Sequence, residues 1–273
     1  GAGLGVSGLL MQTLFRNPLA GPYVLGLSSG ASLGVAIIIL GASLFGGVLG
    51  QFLVTKWSLI IASSAGSFLV LLAVVIVSSR VKDTMAILII GLMFASVTAA
   101  LVGVLSYFST AEELQRYIFW SFGSLGNLTW NELTILFSAF VIGIGLTIYS
   151  IKSLNILLLG DNYAQSLGLN IKKHRFILIL ATSVLAGSIT AFVGPIAFIG
   201  LAVPHLTKLF FDTSNHRILV PAVLLSGSIL LLLCDSISQL PMSEFTLPIN
   251  AVTSLFGAPV VIWLLVRKKK LFV

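Results

Sequence analysis

Nine apolar stretches fill most of this chain, and nearly every charge sits in the short links between them. Such a chain has few ways to fold. Hydrocarbon offers backbone N–H and C=O groups no water, so each stretch must satisfy them internally as a helix. Crossing roughly 30 Å of hydrocarbon takes about 20 residues. The stretches fall at 1–15, 24–45, 57–79, 84–108, 131–151, 173–194, 196–211, 217–239 and 248–266, the first incomplete and the seventh short. The predicted class is an all-α polytopic membrane protein, one transmembrane domain over 1–273. Charged residues make up 8% of the chain and hydrophobic ones 58%, a balance that excludes a water-soluble domain. The chain opens on Gly1 with no initiator Met and no charged leader, so its first span is expected to be truncated. The one cysteine, Cys234, lies in an apolar run and reads as a small buried side chain.

Basic residues test this division. If the terminal Arg267-Lys268-Lys269-Lys270 run is cytoplasmic, alternation places Arg16, Arg80, Lys82, Lys152, Lys172, Lys173, Arg175, Lys208 and Arg217 on that side too. Of the 15 Lys and Arg residues only Lys56 and Arg116 then fall outside, as the positive-inside rule requires. The outer side receives Glu112, Glu113, Glu132 and Glu244. The net charge of +7 is thus a topology signal, not a nucleic-acid footprint.

Two segments resist a plain helical reading: Asn17-Pro18-Leu19-Ala20-Gly21-Pro22 and Gly194-Pro195-Ile196-Ala197-Phe198-Ile199-Gly200. Irregular backbone at membrane depth is tolerated where protein buries it or a watery cavity runs beside it, which favours transport over anchoring. Gly8, Gly30 and Gly34 read as close helix contacts. Residues 160–168, Gly-Asp-Asn-Tyr-Ala-Gln-Ser-Leu-Gly, form a polar island between apolar spans. Asp161 reads as an N-cap, Ala164 and Leu167 as one face of a short helix, and Gly168 as its stop. A knob of this kind suits a groove on another protein.

Taken in order, several motifs carry a resemblance. They are Gly-Val-Ser-Gly at 5–8, Met-Gln-Thr-Leu-Phe-Arg-Asn-Pro-Leu-Ala at 11–20 and Leu-Gly-Leu-Ser-Ser-Gly-Ala at 25–31. The island at 160–168, the Gly-Pro-Ile-Ala-Phe-Ile-Gly-Leu-Ala-Val-Pro-His run at 194–205, Asn-His-Arg at 215–217 and Gly-Ala-Pro-Val-Val-Ile-Trp-Leu-Leu at 257–265 follow. Together they resemble the FecCD-type permease family of ABC importers for iron siderophores, haem and vitamin B12. The resemblance spans essentially the whole chain. It implies a ten-helix permease, here represented by helices two to ten, in the bacterial inner membrane with a cytoplasmic C-terminus. It further implies a second permease copy or paralogue, two ATPase subunits on the cytoplasmic face and a substrate-binding protein outside, with an iron siderophore as first expectation for cargo. ATP and Mg²⁺ would be used by the partner ATPase, and this chain would bind no cofactor or metal.

Residue roles follow from the same resemblance. Segment 153–171 would hold the ATPase-coupling helix, through Gly160, Asp161, Ala164, Leu167 and Gly168. Thr84 and Met85 match the cytoplasmic gate, although a tight turn capped by Asp83 or Thr84 explains them equally. The span at 84–108 offers Gly91, Ser96, Thr98, Ala99 and Ser106 as a small, weakly polar pathway face, or as a packing face. Gln239 stands where the family's third docking arginine would fall, so Glu112, Glu113, Gln239 and Glu244 are the candidate contacts to a binding protein.

No glycine loop with a phosphate-binding lysine occurs, nor any paired catalytic carboxylates, so the chain reads as no enzyme. His205 has no second ligand at metal spacing and reads as structural, while His216 and Arg217 anchor an inner turn or face the ATPase. Asp235 is the acidic residue deepest in an apolar run. It reads as part of a helix-end network with Ser236, Ser238 and Gln239. The alternatives are a contact to substrate or binding protein, and a secondary transporter coupled to ions through Asp235.

Overall fold

The computed structural model describes residues 1–23, 26–42, 54–78, 84–239 and 246–268, and every regular element among them is helical. In chain order these are α1 (Ala2–Leu14), α2 (Leu27–Ile39), α3 (Lys56–Ser78), α4 (Thr84–Phe108), α5 (Ala111–Phe122) and α6 (Trp130–Leu157). Then come α7 (Asp161–Ser166), α8 (Ile171–Thr182), α9 (Ser188–Val193), α10 (Ile199–Phe211), α11 (His216–Ser238) and α12 (Ile249–Lys268). A π-helical turn, Ser183–Gly187, joins α8 to α9 as one span.

Among the described residues, five spans are long and apolar enough to cross a membrane: parts or all of α3, α4, α6, α8–α9 and α11. α1, α2, α10 and Ile249–Trp263 are shorter apolar helices. The stretches expected from 24 and 196 start late as helices, at Leu27 and Ile199. In each case the preceding residue, Gly26 at φ 85° or Phe198 at φ 65°, takes left-handed backbone that a right-handed helix cannot include.

α5 has no counterpart among the expected spans. It is amphipathic, not uniformly apolar, so a search for long apolar runs passes over it. Thr110 Oγ1 accepts from the Glu113 N–H at 3.4 Å, and Glu113 Oε2 accepts from the Thr110 N–H at 2.9 Å. This reciprocal cap satisfies two orphan donors at once. Thr129 and Glu132 repeat the device at the start of α6, with the Thr129 N–H donating to Glu132 Oε2 at 2.8 Å. Lys56, the first residue of α3, donates to the same carboxylate at 2.7 Å and to the Asn127 carbonyl at 2.6 Å. Glu132 is buried, so one side chain caps α6 and pins it to α3. Glu132→Ala is expected to cost about 1–2 kcal/mol, through the lost cap and ion pair. A lowered melting temperature in detergent, with secondary structure retained, is the measurement.

Backbone contact at glycines organises the bundle into two leaves. In the first, α1 packs on α10 and α11, and a Cβ at Gly8 would overlap the Gly200 carbonyl. In the second, α2 packs on α3 and α4, with Gly30 and Gly66 facing each other so closely that neither has room for a Cβ. Small residues let helices approach in this way where no hydrophobic force favours association. The π turn touches α1 from the first leaf and α2 and α3 from the second. Cys234 is buried in α11.

The break at 194–198 is buried at Gly194, Pro195 and Ile196 and half-buried at Ala197 and Phe198, so its backbone must find partners there. The Ile196 N–H donates to the Tyr23 hydroxyl at 3.4 Å, and the Ala197 N–H to Asn250 Oδ1 at 3.1 Å. Tyr23 is held in turn by Thr190, 3.0 Å away. Val193 ends α9 by accepting the Ser124 N–H at 2.8 Å, which ties that end of the span to the exit of α5. At the 17–22 break, Asn17 Oδ1 accepts the Leu19 N–H at 2.8 Å and the Asn17 carbonyl accepts from Ala20.

Candidate functional site

α7 is a single and a half turns of helix seated on the bundle by one small residue. Ala164 is fully buried among core side chains, and its lack of bulk lets the helix lie against them. Gly160, at φ 114°, turns the chain into the helix. Gly168, at φ 81°, ends it: the Gly168 N–H bonds the Gln165 carbonyl at 2.9 Å and the Leu169 N–H reaches Ala164 at 3.0 Å. That pair of bonds is the Schellman stop. The structure therefore agrees with a short helix closed at Gly168.

Two details of the expected knob are corrected. Asp161 is not the N-cap; Gly160 holds that position, without a side-chain cap bond, and Asp161 is the first helical residue. Ala164 and Leu167 do not share a face, since Ala164 is buried while Leu167 is 59% exposed. The helix ends at Ser166, so Leu167 is its C-cap and leaves the helical progression that three-residue spacing assumes. The outward surface is made by Tyr163, 66% exposed, and Leu167, beside the polar Asn162, Gln165 and Ser166.

The Asp161 carboxylate turns to the bundle instead. Arg16 Nη2, just past α1, donates to Oδ1 at 3.1 Å, and Arg175 Nη2, from α8, to Oδ2 at 2.6 Å. Arg16 also donates from Nε to the Leu157 carbonyl at 3.1 Å, at the end of α6. Its own backbone is left-handed, at φ 47°. Sequence reasoning assigned Arg16 a topological role, and Arg175 either that or a contact to the ATPase.

The same end of the bundle is knit by other polar side chains. His216 begins α11 and is buried, its Nε2 2.8 Å from Thr13 Oγ1 and its Nδ1 2.7 Å from Asn155 Oδ1. It anchors the inner turn, one of the two readings the sequence left open for it. Lys208 Nζ donates to Gln12 Oε1 at 3.4 Å, and Ser153 meets His174 Nδ1 at 2.9 Å. Arg16, Lys172, Lys173, Arg175, Lys208 and Arg217 all belong to the helix ends brought together here. Lys56, Glu112, Glu113, Arg116 and Glu132 belong to the opposite end. Among the described residues, the charge partition expected from the sequence holds in space.

At that opposite end a cleft of about 380 Å³ lies between α2 and α4, roofed by α5. Ser28, Ser29, Ser32, Thr98, Ser106 and Tyr117 supply its hydroxyls, and no charged residue lines it. Tyr117 bonds Ser32 and is stacked with Trp120, their rings 6.3 Å apart. Burial raises the Tyr117 phenol above its ordinary value, so it stays protonated as a donor. Of the expected pathway residues Thr98, Ala99 and Ser106 line this cleft. Gly91 packs beside Gly26, and Ser96 points to the exposed face of α4, its hydroxyl bonded to the Leu92 carbonyl at 3.0 Å. Thr98 lies seven residues from Gly91 and so shares its face, whereas Ser96 does not. Ser28, Ser29 and Ser32 were visible in the sequence as hydroxyls clustered on one turn.

The remaining candidates are placed as follows. Thr84 and Met85 are the first residues of α4. Glu113 is engaged by its own helix cap, Glu112 is exposed, and Glu244 lies outside the described residues. Gln239 caps α11 and donates from Nε2 to Asp235 Oδ2 at 2.9 Å, while Ser238 Oγ donates to the Asp235 carbonyl at 2.8 Å. Asp235 is thus a helix-end residue. Among the described residues no three His, Cys, Asp or Glu side chains cluster closely enough to hold a metal ion.

The sequence model of the FecCD transport family matches residues 1–267. The chain belongs to the FecCD transport family. Vitamin B12 import system permease proteins from Citrobacter koseri and Salmonella typhi are each 35% identical over 270 residues, 99% of this chain and 79% and 80% of theirs. A solved structure described as an inward-facing metal-chelate type ABC transporter superposes with a TM-score of 0.85 at 30% identity, covering 98% of this chain and 82% of that one. As a FecCD member the chain is a multi-pass membrane transport component with an ABC permease fold, not an enzyme.

Proposed function

We propose that this chain is the permease of an ATP-binding-cassette importer that passes a bulky metal chelate across the bacterial inner membrane. The observation that carries the reading is α7: a closed helix, anchored by buried Ala164, that presents Tyr163 and Leu167 outward from the basic end of the bundle. An exposed apolar tip on a fixed helix is suited to a groove of an ATPase subunit, and the basic end is the cytoplasmic one. ATP and Mg²⁺ are bound by that subunit. Two such subunits and an external binding protein complete the machine. A second permease copy meets the exposed apolar residues of α4, among them Met93, Val97, Leu101 and Val104.

For cargo, the relatives named for vitamin B12 and the structural neighbour described as metal-chelate type favour a corrinoid or a chelate of similar size over an iron siderophore specifically. Neutral hydroxyls in the α2–α4 cleft provide weak hydrogen bonds without a charge that would trap such a molecule. Ion coupling through Asp235 is disfavoured because Gln239 engages its carboxylate at a helix end. The test is co-purification with the ATPase encoded beside it, followed by ATP-dependent uptake of vitamin B12 and of ferric siderophores into vesicles with the binding protein inside or outside. Uptake that persists without the ATPase and collapses with the ion gradient refutes the proposal.

A further inference from the structure

The carboxylate of Asp161 is the one place where α7 is tied to the helices behind it by charge. Its two oxygens are taken by different elements, Arg16 after α1 and Arg175 in α8. Arg16 fastens a third element by bonding the last carbonyl of α6. Gly160, the hinge into α7, lies directly under the Arg16 guanidinium, where a Cβ would sit 3.6 Å from Nη1. Gly160, at φ 114°, turns the chain into the helix, and two arginines from different elements hold the first helical residue.

Stability does not explain this arrangement. The side chains are between a third and a half exposed, 42% and 36% for the arginines and 46% for Asp161, and ion pairs so exposed add little to folding. Position is what they specify. Arg175 sits in α8, which continues through the π turn and α9 to Val193, whose carbonyl holds Ser124 at the exit of α5. α5 in turn carries Tyr117, the roof of the hydroxyl-lined cleft. A displacement of α7 that keeps both arginine bonds is delivered to α1 and to this span. If the bonds are absent, α7 keeps its Ala164 seat but loses its charged ties to α1 and α8.

We infer that Asp161 is a positioning residue that joins α7 rigidly to α1 and α8, so that movement imposed on α7 by its partner reaches the cleft. The inference rests on the ATPase-docking reading of α7 and assigns Asp161 to the inner side of that device.

The experiment uses the assembled permease–ATPase complex and needs no cargo. Ala99→Cys places a thiol in the cleft, and its labelling rate by a maleimide is compared with and without ATP and vanadate. In the otherwise unaltered chain, nucleotide is expected to change that rate. With Asp161→Asn, which keeps shape and removes charge, the ATPase subunits should remain bound and the melting temperature unchanged. The nucleotide-dependent change in labelling should shrink by about fivefold or more, the lower end of ordinary coupling between sites. Arg175→Gln should give the same loss, and the double variant no more than either alone. An undiminished labelling response in Asp161→Asn overturns the inference, as does release of the ATPase, which would make Asp161 a docking contact. If the unaltered chain binds no ATPase, or its cleft ignores nucleotide, the docking reading fails and the inference fails with it.

Discussion

Replacing Gly8 with valine is expected to prevent the first leaf from assembling. The Cβ alone would overlap the Gly200 carbonyl, with the Gly200 backbone immediately behind it. Overpacking usually costs about 1–3 kcal/mol, because neighbouring side chains shift to new rotamers. Here the obstacle is backbone, which has no rotamer to adopt, so the helices themselves must separate. Separation would uncover the buried Leu4, Leu9 and Leu10 of α1 and strain the Gln12 bond to the Leu201 carbonyl. Gly145→Ala is the control. Nothing lies within 4 Å of a Cβ there, and the exchange favours the helix slightly. The readout is the yield of monodisperse protein and its melting temperature in detergent. If Gly8→Val melts with Gly145→Ala, the close contact of α1 and α10 does not exist.

Leu167→Glu is expected to abolish ATP-driven uptake while leaving the permease folded. Leu167 is 59% exposed and caps a finished helix, so the permease itself loses little. A charge placed on the apolar tip should cost binding about 2 kcal/mol or more, roughly thirtyfold in affinity, as central contacts in protein interfaces do. Ala164→Glu is the less informative change. Ala164 is fully buried, and a carboxylate there would unseat α7 whether or not anything docks on it. Co-purification of the ATPase with Leu167→Glu, at unaltered yield and with normal uptake, would remove α7 from the interface.

The long spans and the division of charge between two ends were legible in the sequence, because hydrocarbon imposes both length and polarity on each segment. α7 was legible as a helix from its flanking glycines, but its orientation was not. Which side of six residues faces inward depends on Arg16 and Arg175, which lie 145 and 14 positions from Asp161. α5 could have been found. Thr110-Ala-Glu-Glu113 is a capping box before an amphipathic run, and Thr129-Trp-Asn-Glu132 shows the same pattern. The π turn at Ser183–Gly187 carries no such mark, since its extra residue is accommodated by α1, α3 and α6 packing around it. The cleft was legible on one side only. Thr98, Ala99 and Ser106 come from α4 and the other three serines from α2, and only packing shows that they face one space.

The two glycine seams have a mechanical consequence. Where backbone rests on backbone, one helix cannot roll over the other, as it can when side chains act as bearings. α1 with α10, and α2 with α3, therefore travel as stiff plates. Any opening or closing of this molecule has to be taken up between the plates, and the π turn lies on that line with a plate against each side.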